Sequence, residues 1–337
     1  MPAEVSGHRE PRDSSADRQV ARAGSAPDRV AAVDCGTNSI RLLVAERGAD
    51  GGLVDLDRRL EIVRLGQGVD ATGEFHADAL RRTFEAVERY AEILADAQVP
   101  VERIHFIATS AARDAGNRDE FFAGVQQRLG VLPDVISGDT EARLSFSGAL
   151  SRIRPQAEPV LVMDIGGGST ELIVGSASGR VQSAVSLDIG SVRLTERFLP
   201  SSPPEPAALD EATRFVDAKL DQSGLELSRV RCWVGVAGTV TTIAAVQLGL
   251  QTYDRARVHG SLIERDALQE LLRRLSGMQV ADIRALPSMH PQRADVITAG
   301  MLIAARVARL VSAPELVVSE SDILDGIALE LLRAPRG

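Results

Sequence analysis

Short runs of hydrophobic residues alternate along the chain with segments of helical periodicity. Residues 1–27 carry no hydrophobic period and are predicted to be a disordered tail. The apolar runs at 30–33 and 40–45 then predict buried strands, and apolar residues within 76–97 recur at helical spacing. Strands and helices continue to alternate as far as Leu150. This alternation predicts an α/β fold.

The alternation restarts after a proline-bounded junction at 155–159. Further strands are predicted near 160–163, 171–174, 181–187, 230–235 and 315–318, and helices near 207–222, 238–249, 264–276, 293–311 and 322–332. The restart predicts two domains, 28–156 and 157–337. The last helix of the second domain is a candidate for packing back on the first.

An internal repeat relates the two halves at a constant offset with no gap. Asp34, Gly36, Ser39, Leu42 and Val44 recur as Asp164, Gly166, Ser169, Leu172 and Val174. Each copy is an apolar strand, an Asp at its end, a turn of small residues and a second apolar strand. Chance matching of glycine turns is disfavoured by the shared Asp and the shared flanks. The repeat predicts two similar domains that face each other across a cleft.

Two glycine-rich turns have the composition of phosphate-binding loops. Glycines allow close approach and let successive N–H groups converge into an anion nest, and hydroxyls add donors. In the second copy of the repeat the candidates are Gly166, Gly167, Gly168, Ser169 and Thr170. Gly238 and Thr239 open a predicted helix, whose N-terminus favours phosphate. The alternatives are a plain tight hairpin for the first of these turns and helix–strand packing for the other.

Three acids stand at or beside the repeated turns, where carboxylate and phosphate would repel each other. They are Asp34, Asp164 and Glu171. A divalent cation that bridges both groups removes the conflict, and Mg²⁺ takes a few carboxylates together with waters and phosphate oxygens. We therefore favour metal or water handling by these acids over simple turn capping.

Two more residues have both a functional and a structural interpretation. Glu141 lies in the first turn of a predicted helix, where it either complements the helix dipole or acts as a general base towards water. Arg113 follows a buried strand and either grips phosphate in bidentate fashion or is an ordinary surface arginine. Composition and spacing leave both pairs of alternatives open.

The composition, charge and missing motifs of the chain argue against several classes of function. The 337 residues carry a formal net charge of −9, which argues against a general nucleic-acid binder. Lys219 is the only lysine and lies far from any glycine-rich turn, and neither a Gly-x-Gly-x-x-Gly nor a Gly-x-x-x-x-Gly-Lys-Ser/Thr pattern is present. Cys35 and Cys232 stand alone, so neither zinc nor a disulfide framework is indicated. The uncharged run at 233–250 contains glycines and threonines, and the chain starts without an apolar signal core, so a cytoplasmic protein without a membrane partner is expected.

Together these blocks resemble the exopolyphosphatase / guanosine pentaphosphate phosphatase family of the actin-like, sugar-kinase and heat-shock-protein ATPase superfamily. The matching segments are 33–41, 109–117, 137–144, 164–171, 235–239 and 319–326. The resemblance covers about 29–333 and is closest to the short, two-domain actinobacterial type. It implies two actin-like (ribonuclease-H-like) domains facing across a cleft.

The resemblance also implies roles for the candidate residues. Glu141 matches the catalytic base, Arg113 a phosphate-gripping arginine, and Asp164 and Glu171 the metal- and water-handling acids. The turns match phosphate-binding loops at Thr37, Asn38 and Ser39 and at 166–170. The implied reaction is hydrolysis of terminal phosphoanhydride bonds of inorganic polyphosphate with Mg²⁺, or alternatively Mn²⁺, by a homodimer. Thr140-Glu141 departs from the two adjacent glutamates of many members, and the chain lacks the C-terminal domains of longer ones.

Three other functions are consistent with the sequence. Hydrolysis of guanosine pentaphosphate uses the same chemistry, although only 3% of the residues are aromatic, which indicates no base-stacking platform. A kinase of the same superfamily would need ATP and an acceptor. A non-catalytic polyphosphate or alarmone sensor would bind without releasing phosphate, and the retention of all the candidate acids argues against it.

Overall fold

The computed structural model describes residues 28–49, 51–109, 112–113 and 115–334. The predicted tail at 1–27 lies outside the described residues.

The first sheet contains five strands in the order β3-β2-β1-β4-β5. Its strands are β1 (Arg29–Cys35), β2 (Ser39–Arg47), β3 (Leu53–Ile62), β4 (Ile104–Ala108) and β5 (Asp134–Val135). The helices of this part are α1 (Val69–Thr72), α2 (Ala77–Asp96), α3 (Arg118–Leu129) and α4 (Gly138–Ala149), with a 3₁₀ turn at Val101–Arg103. Strand β1 is antiparallel to β2 and parallel to β4.

The second sheet contains six strands in the order β10-β11-β9-β6-β7-β8. Its strands are β6 (Val160–Ile165), β7 (Thr170–Gly175), β8 (Val181–Leu187), β9 (Cys232–Val236), β10 (Leu262–Glu264) and β11 (Glu315–Val318). The helices are α5 (Ser191–Phe198), α6 (Pro206–Gln222), α7 (Ala237–Gln247), α8 (Arg255–Val258), α9 (Arg265–Ser276), α10 (Val280–Arg284), α11 (Ile297–Ala308) and α12 (Ile323–Arg333), with a 3₁₀ turn at Leu227–Arg229.

The internal repeat is a structural repeat. In the hairpin of β1 and β2, Asp34 lies opposite Arg41, and in the hairpin of β6 and β7, Asp164 lies opposite Glu171 in the same register. Both turns close through the same bond, since Gly36 N–H donates to Ser39 O and Gly166 N–H to Ser169 O, each at 3.0 Å. The predicted α/β fold class is confirmed, and each of the two mixed sheets contains one copy of the repeated hairpin.

Burial explains why the central strands are continuous apolar runs. Strand β6 is buried at every position, and β1 is buried from its second residue onwards, because helices cover both faces of each sheet. Strand β3 ends at Ile62, where the chain turns towards the first repeated turn. Arg64, two residues later, has a φ of 51°, and the N–H groups of Val63 and Arg64 turn to Asn38 O at 3.1 and 2.9 Å.

Helix α12 lies on the first sheet although it follows the second in sequence. Ile323, Leu324, Ile327 and Ala328 pack with Val30, Ala32, Leu43 and Ala45 of β1 and β2. The predicted boundary at 156/157 falls between α4 and β6, and the division into two domains stays a prediction. Within the described ranges, no helix has the length and apolar character needed to cross a membrane.

Candidate active site

A cavity of about 80 Å³ lies between the two repeated turns, at the ends of β1, β6 and β9. It collects nearly all of the predicted site residues. Those that line it are Asp34, Thr37, Asn38, Ser39, Glu141, Asp164, Gly166, Gly167, Gly168, Ser169, Glu171, Gly238 and Thr239. Arg113 and Thr170 do not line it.

The two repeated turns touch each other and present backbone donors to the cavity. A Cβ placed on Gly167 would lie 3.1 Å from the Cβ atoms of Thr37 and Asn38, so a side chain at this position would crowd the first turn. Among the described residues, the N–H groups of Asn38, Gly167, Gly168 and Ser169 donate no hydrogen bond. Unused N–H groups that surround one cavity form a binding site for an anion.

The third turn adds a helix N-terminus. The first N–H groups of helix α7 have no intrahelical partners, and no side chain caps them. A Cβ on Gly238 would lie 1.6 Å from Nη1 of Arg293, which shows that the guanidinium packs directly over this glycine. Burial lowers the pKa of Arg293 to about 10. Phosphate at this point would contact a guanidinium and a helix dipole together.

Four buried acids share the cavity. Burial raises the pKa of Glu141 to about 7 and that of Asp164 to about 6. Burial, followed by the negative charges of Glu141 and Asp164, raises the pKa of Glu171 well above its usual value. Asp34 is 3% exposed, and burial raises its pKa although Arg41 opposes the shift. A cation bound among these groups would relieve their mutual repulsion.

Hydrogen bonds orient Asp164, Glu171 and the candidate base Glu141. Ser145 donates to Asp164 Oδ2 at 3.2 Å, and Ser186 donates to Glu171 Oε1 at 2.7 Å. Arg113 Nη1 donates to Glu141 Oε2 at 3.1 Å and to Ile136 O at 2.8 Å. The structure thus places Arg113 behind the candidate base, whereas the resemblance implied a direct grip on phosphate.

Arg41 is a site residue that sequence reasoning missed. It pairs with both Asp34 and Asp322, while Asp34 Oδ1 is buried without a partner in the described part of the chain. The signal was the repeat itself, since Arg41 stands where the second copy has Glu171. The two otherwise similar hairpins therefore bring opposite charges to the cavity.

Three other residues change the predicted phosphate site. Arg293 and Ser191 line the cavity, and neither was singled out from the sequence. Thr170, which was predicted to bind phosphate, is fully buried and its hydroxyl donates to Ile189 O. The Thr170 hydroxyl is therefore not available to phosphate.

The donor set fits Mg²⁺. The described residues contain no group of three or more His, Cys, Asp or Glu side chains arranged to hold a metal ion by themselves. Mg²⁺ requires no such cage, because it usually takes one or two carboxylates and completes its shell with waters and substrate phosphates. Asp164, Glu171 and the unpartnered Oδ1 of Asp34 supply carboxylate oxygens of this kind.

The pKa of Glu141 sets an expected pH dependence. A base must be deprotonated to accept a proton, and Glu141 loses its proton near pH 7. We expect kcat/KM to fall about tenfold per pH unit as the pH drops below that value. Replacing Arg113 by Gln removes a positive charge that lowers this pKa, so the acidic limb of the kcat/KM–pH profile should move to higher pH. Initial rates from pH 5 to 9 measure the acidic limb in the wild type and its shift in Arg113→Gln. A limb that Arg113→Gln leaves unchanged would contradict the assignment of Glu141 as the base.

Comparisons with known proteins agree with the geometry. The profile of the Ppx/GppA phosphatase family matches residues 43–334. "Exopolyphosphatase 2" of Mycobacterium tuberculosis is 47% identical over 317 residues, covering 90% of this chain and 98% of the relative. A crystal structure of an exopolyphosphatase-like protein superposes with a TM-score of 0.85 at 40% identity, covering 90% of this chain and 97% of the other. A Ppx/GppA family member of Aquifex aeolicus gives a TM-score of 0.77 at 29% identity, covering 92% and 99%. The resemblance seen in the sequence blocks is confirmed.

Proposed function

Since the chain belongs to the Ppx/GppA phosphatase family, we propose that it is an exopolyphosphatase that releases orthophosphate from the end of inorganic polyphosphate. One observation carries this proposal. Two facing turns with unused N–H groups and a buried acid with a pKa of about 7 line the same small cavity. Such a cavity holds a terminal phosphate next to a base of suitable strength.

The residues divide the reaction between binding and proton transfer. The N–H groups of Asn38, Gly167, Gly168 and Ser169 bind the phosphate oxygens. Glu141 takes a proton from water as the water oxygen bonds to the terminal phosphorus. The anhydride bond to the next phosphate then breaks, and its bridging oxygen leaves with the shortened chain. Arg113 keeps the Glu141 carboxylate in place through the 3.1 Å contact.

Mg²⁺ belongs to this proposal as the cation held by Asp164 and Glu171, with Asp34 as a further carboxylate. When bound, it supplies positive charge that neutralises phosphate oxygens near these acids. The raised pKa values of Asp164 and Glu171 support its presence, because burial and neighbouring acids raise both, and Arg41 offsets only part of the shift at Asp164.

A second cavity supports guanosine pentaphosphate as the alternative substrate. It has a volume of about 610 Å³ and shares Arg41, Gly238 and Arg293 with the first cavity. Tyr253 and Met289 contribute an aromatic ring and an apolar side chain to its wall. These groups could contact a nucleobase while the phosphates reach the turns. The low aromatic content predicted no such platform, and Tyr253 supplies one ring.

Orthophosphate release is the test. Purified protein is assayed with Mg²⁺ against short-chain polyphosphate, long-chain polyphosphate and guanosine pentaphosphate, and the measurement is repeated after EDTA and after Mg²⁺ is restored. Release from polyphosphate that EDTA abolishes and Mg²⁺ restores supports the proposal. Release from the nucleotide alone supports the alternative, and release from none of them contradicts both. The expected homodimer is tested by light scattering on the same preparation.

A further inference from the structure

Helix α5 holds the glycine turn of the second repeat from behind. The N–H groups of Ser191, Val192 and Arg193 donate to backbone carbonyls of this turn. Ser191 N–H reaches Gly166 O at 2.9 Å, and Val192 and Arg193 N–H reach Gly167 O at 2.9 and 3.1 Å. A Cβ on Gly190 would lie 2.2 Å from Gly167 O, so the contact requires glycine there. Both carbonyls are therefore fixed by one helix end.

Fixing these carbonyls also orients the N–H groups that face phosphate. In a planar trans peptide, the C=O of one residue and the N–H of the next point in opposite directions. The C=O of Gly166 shares a peptide with the N–H of Gly167, and the C=O of Gly167 shares one with the N–H of Gly168. Because α5 holds both oxygens on one side, both N–H groups point to the other side.

The same helix is tied to the part of the chain that carries the first sheet. Arg193 Nη1 lies 3.1 Å from Asp70 Oδ1 in α1, and Glu196 accepts a hydrogen bond from the backbone of Gly68. This segment reaches the first repeated turn as well, because Gly66 N–H donates to Thr37 O at 2.9 Å. The two phosphate turns are thus linked behind the cavity by α5 and the segment 66–70.

We propose that Arg193 is a positioning residue, which through its pair with Asp70 couples the contact between α5 and the first part of the chain to the orientation of the Gly167 and Gly168 N–H groups. The inference rests on the proposed function only in that phosphate binds these N–H groups. Arg193 contacts no substrate, and its loss weakens phosphate binding equally in the ground state and the transition state. Its loss therefore raises KM and leaves kcat nearly unchanged.

The test compares Arg193→Gln and Asp70→Asn with Arg197→Gln. Arg197 lies on the same helix, and its guanidinium stacks on Phe198 and Phe215 within the second part of the chain. We expect KM for short-chain polyphosphate to rise about tenfold in both test variants, with kcat within about twofold of wild type. The double variant should be no worse than Arg193→Gln alone, because Asp70 acts through its pair with Arg193, which also lies 3.8 Å from Asp188. Arg197→Gln should behave as wild type.

Hydrogen–deuterium exchange gives a readout that needs no substrate. Amides of 191–193 should exchange about tenfold faster in Arg193→Gln and Asp70→Asn than in wild type or Arg197→Gln. The Asp70 side chain is 40% exposed, so replacing it by Asn should leave the hydrophobic cores intact. Asp70→Asn therefore tests the pair even if Arg193→Gln fails to fold. Unchanged exchange, additive KM effects, or a fall in kcat without a change in KM would overturn the inference. Faster exchange in a protein that hydrolyses no polyphosphate would support the coupling and refute the proposed function alone.

Discussion

Glu141→Gln should lower kcat about a thousandfold while the protein stays folded. The amide keeps the shape of the carboxylate and still accepts the hydrogen bond from Arg113, but it cannot take a proton from water. Glu141 is 8% exposed and lines the cavity between the phosphate turns. Substrate binding should be retained, because the N–H groups that bind phosphate are unchanged. Phosphate release under saturating polyphosphate measures the effect.

Asp139→Asn is the matched control for this variant. Asp139 lies in the same first turn of α4, loses the same charge on substitution and is exposed outside the cavity. Its kcat should stay within about twofold of wild type, since surface changes rarely alter a buried site. If Glu141→Gln retained wild-type turnover, Glu141 would not be the base. If Asp139→Asn lost as much activity, helix α4 rather than the Glu141 carboxylate would explain the loss.

Gly148→Ala should destabilise the protein by about 3 kcal/mol, the largest effect on stability that we expect from a single methyl group. A Cβ on Gly148 would lie 1.7 Å from the backbone oxygen of Asp322, at the start of α12. Gly326 meets α4 in the same way, with Leu144 O at 2.1 Å from its hypothetical Cβ. These contacts are to backbone, so a side-chain rotation cannot relieve them. Asp322 also holds Arg41, and the cavity should be disturbed as well.

Urea unfolding of Gly148→Ala and Gly277→Ala measures this effect. Gly277 ends helix α9 with a φ of −91°, and a Cβ there would meet its nearest atom at 3.7 Å. Gly277→Ala should therefore change stability by less than about 1 kcal/mol. Equal unfolding midpoints for the two variants would mean that α4 and α12 separate easily, and that the close crossing at Gly148 does not stabilise the fold.

The repeat made much of the fold and the site predictable. An Asp at the end of an apolar strand followed by a turn of small residues occurs in both copies, and each copy forms the same hairpin. Because the carboxyl ends of neighbouring parallel strands, such as β6 and β9, meet at one edge of a sheet, residues named from local patterns came together in one cavity. Glu141 was open to two interpretations in the sequence, and its burial beside the turns distinguishes it from a surface residue that complements the helix dipole.

The missed features depend on contacts between distant segments. Helix α5 has eight residues and one short apolar stripe, and its role arises from Gly167, about 25 residues earlier along the chain. Arg293 acquires its position by packing over Gly238, a contact that no local period encodes. Strand β10 has three residues and pairs with β11, more than 50 positions later. Local sequence patterns indicate secondary-structure elements, but helix α5, the position of Arg293 and strand β10 depend on tertiary packing.

Phosphate release from polyphosphate in H₂¹⁸O shows whether water is the nucleophile at the terminal phosphorus. If water activated by Glu141 attacks the terminal phosphorus, each orthophosphate should carry one solvent oxygen, and the chain should shorten from its end. Released phosphate is analysed by mass spectrometry and the remaining chains by gel electrophoresis. Unlabelled phosphate, transfer of phosphate to an added acceptor, or cleavage inside the chain without orthophosphate would contradict terminal hydrolysis by water at this site.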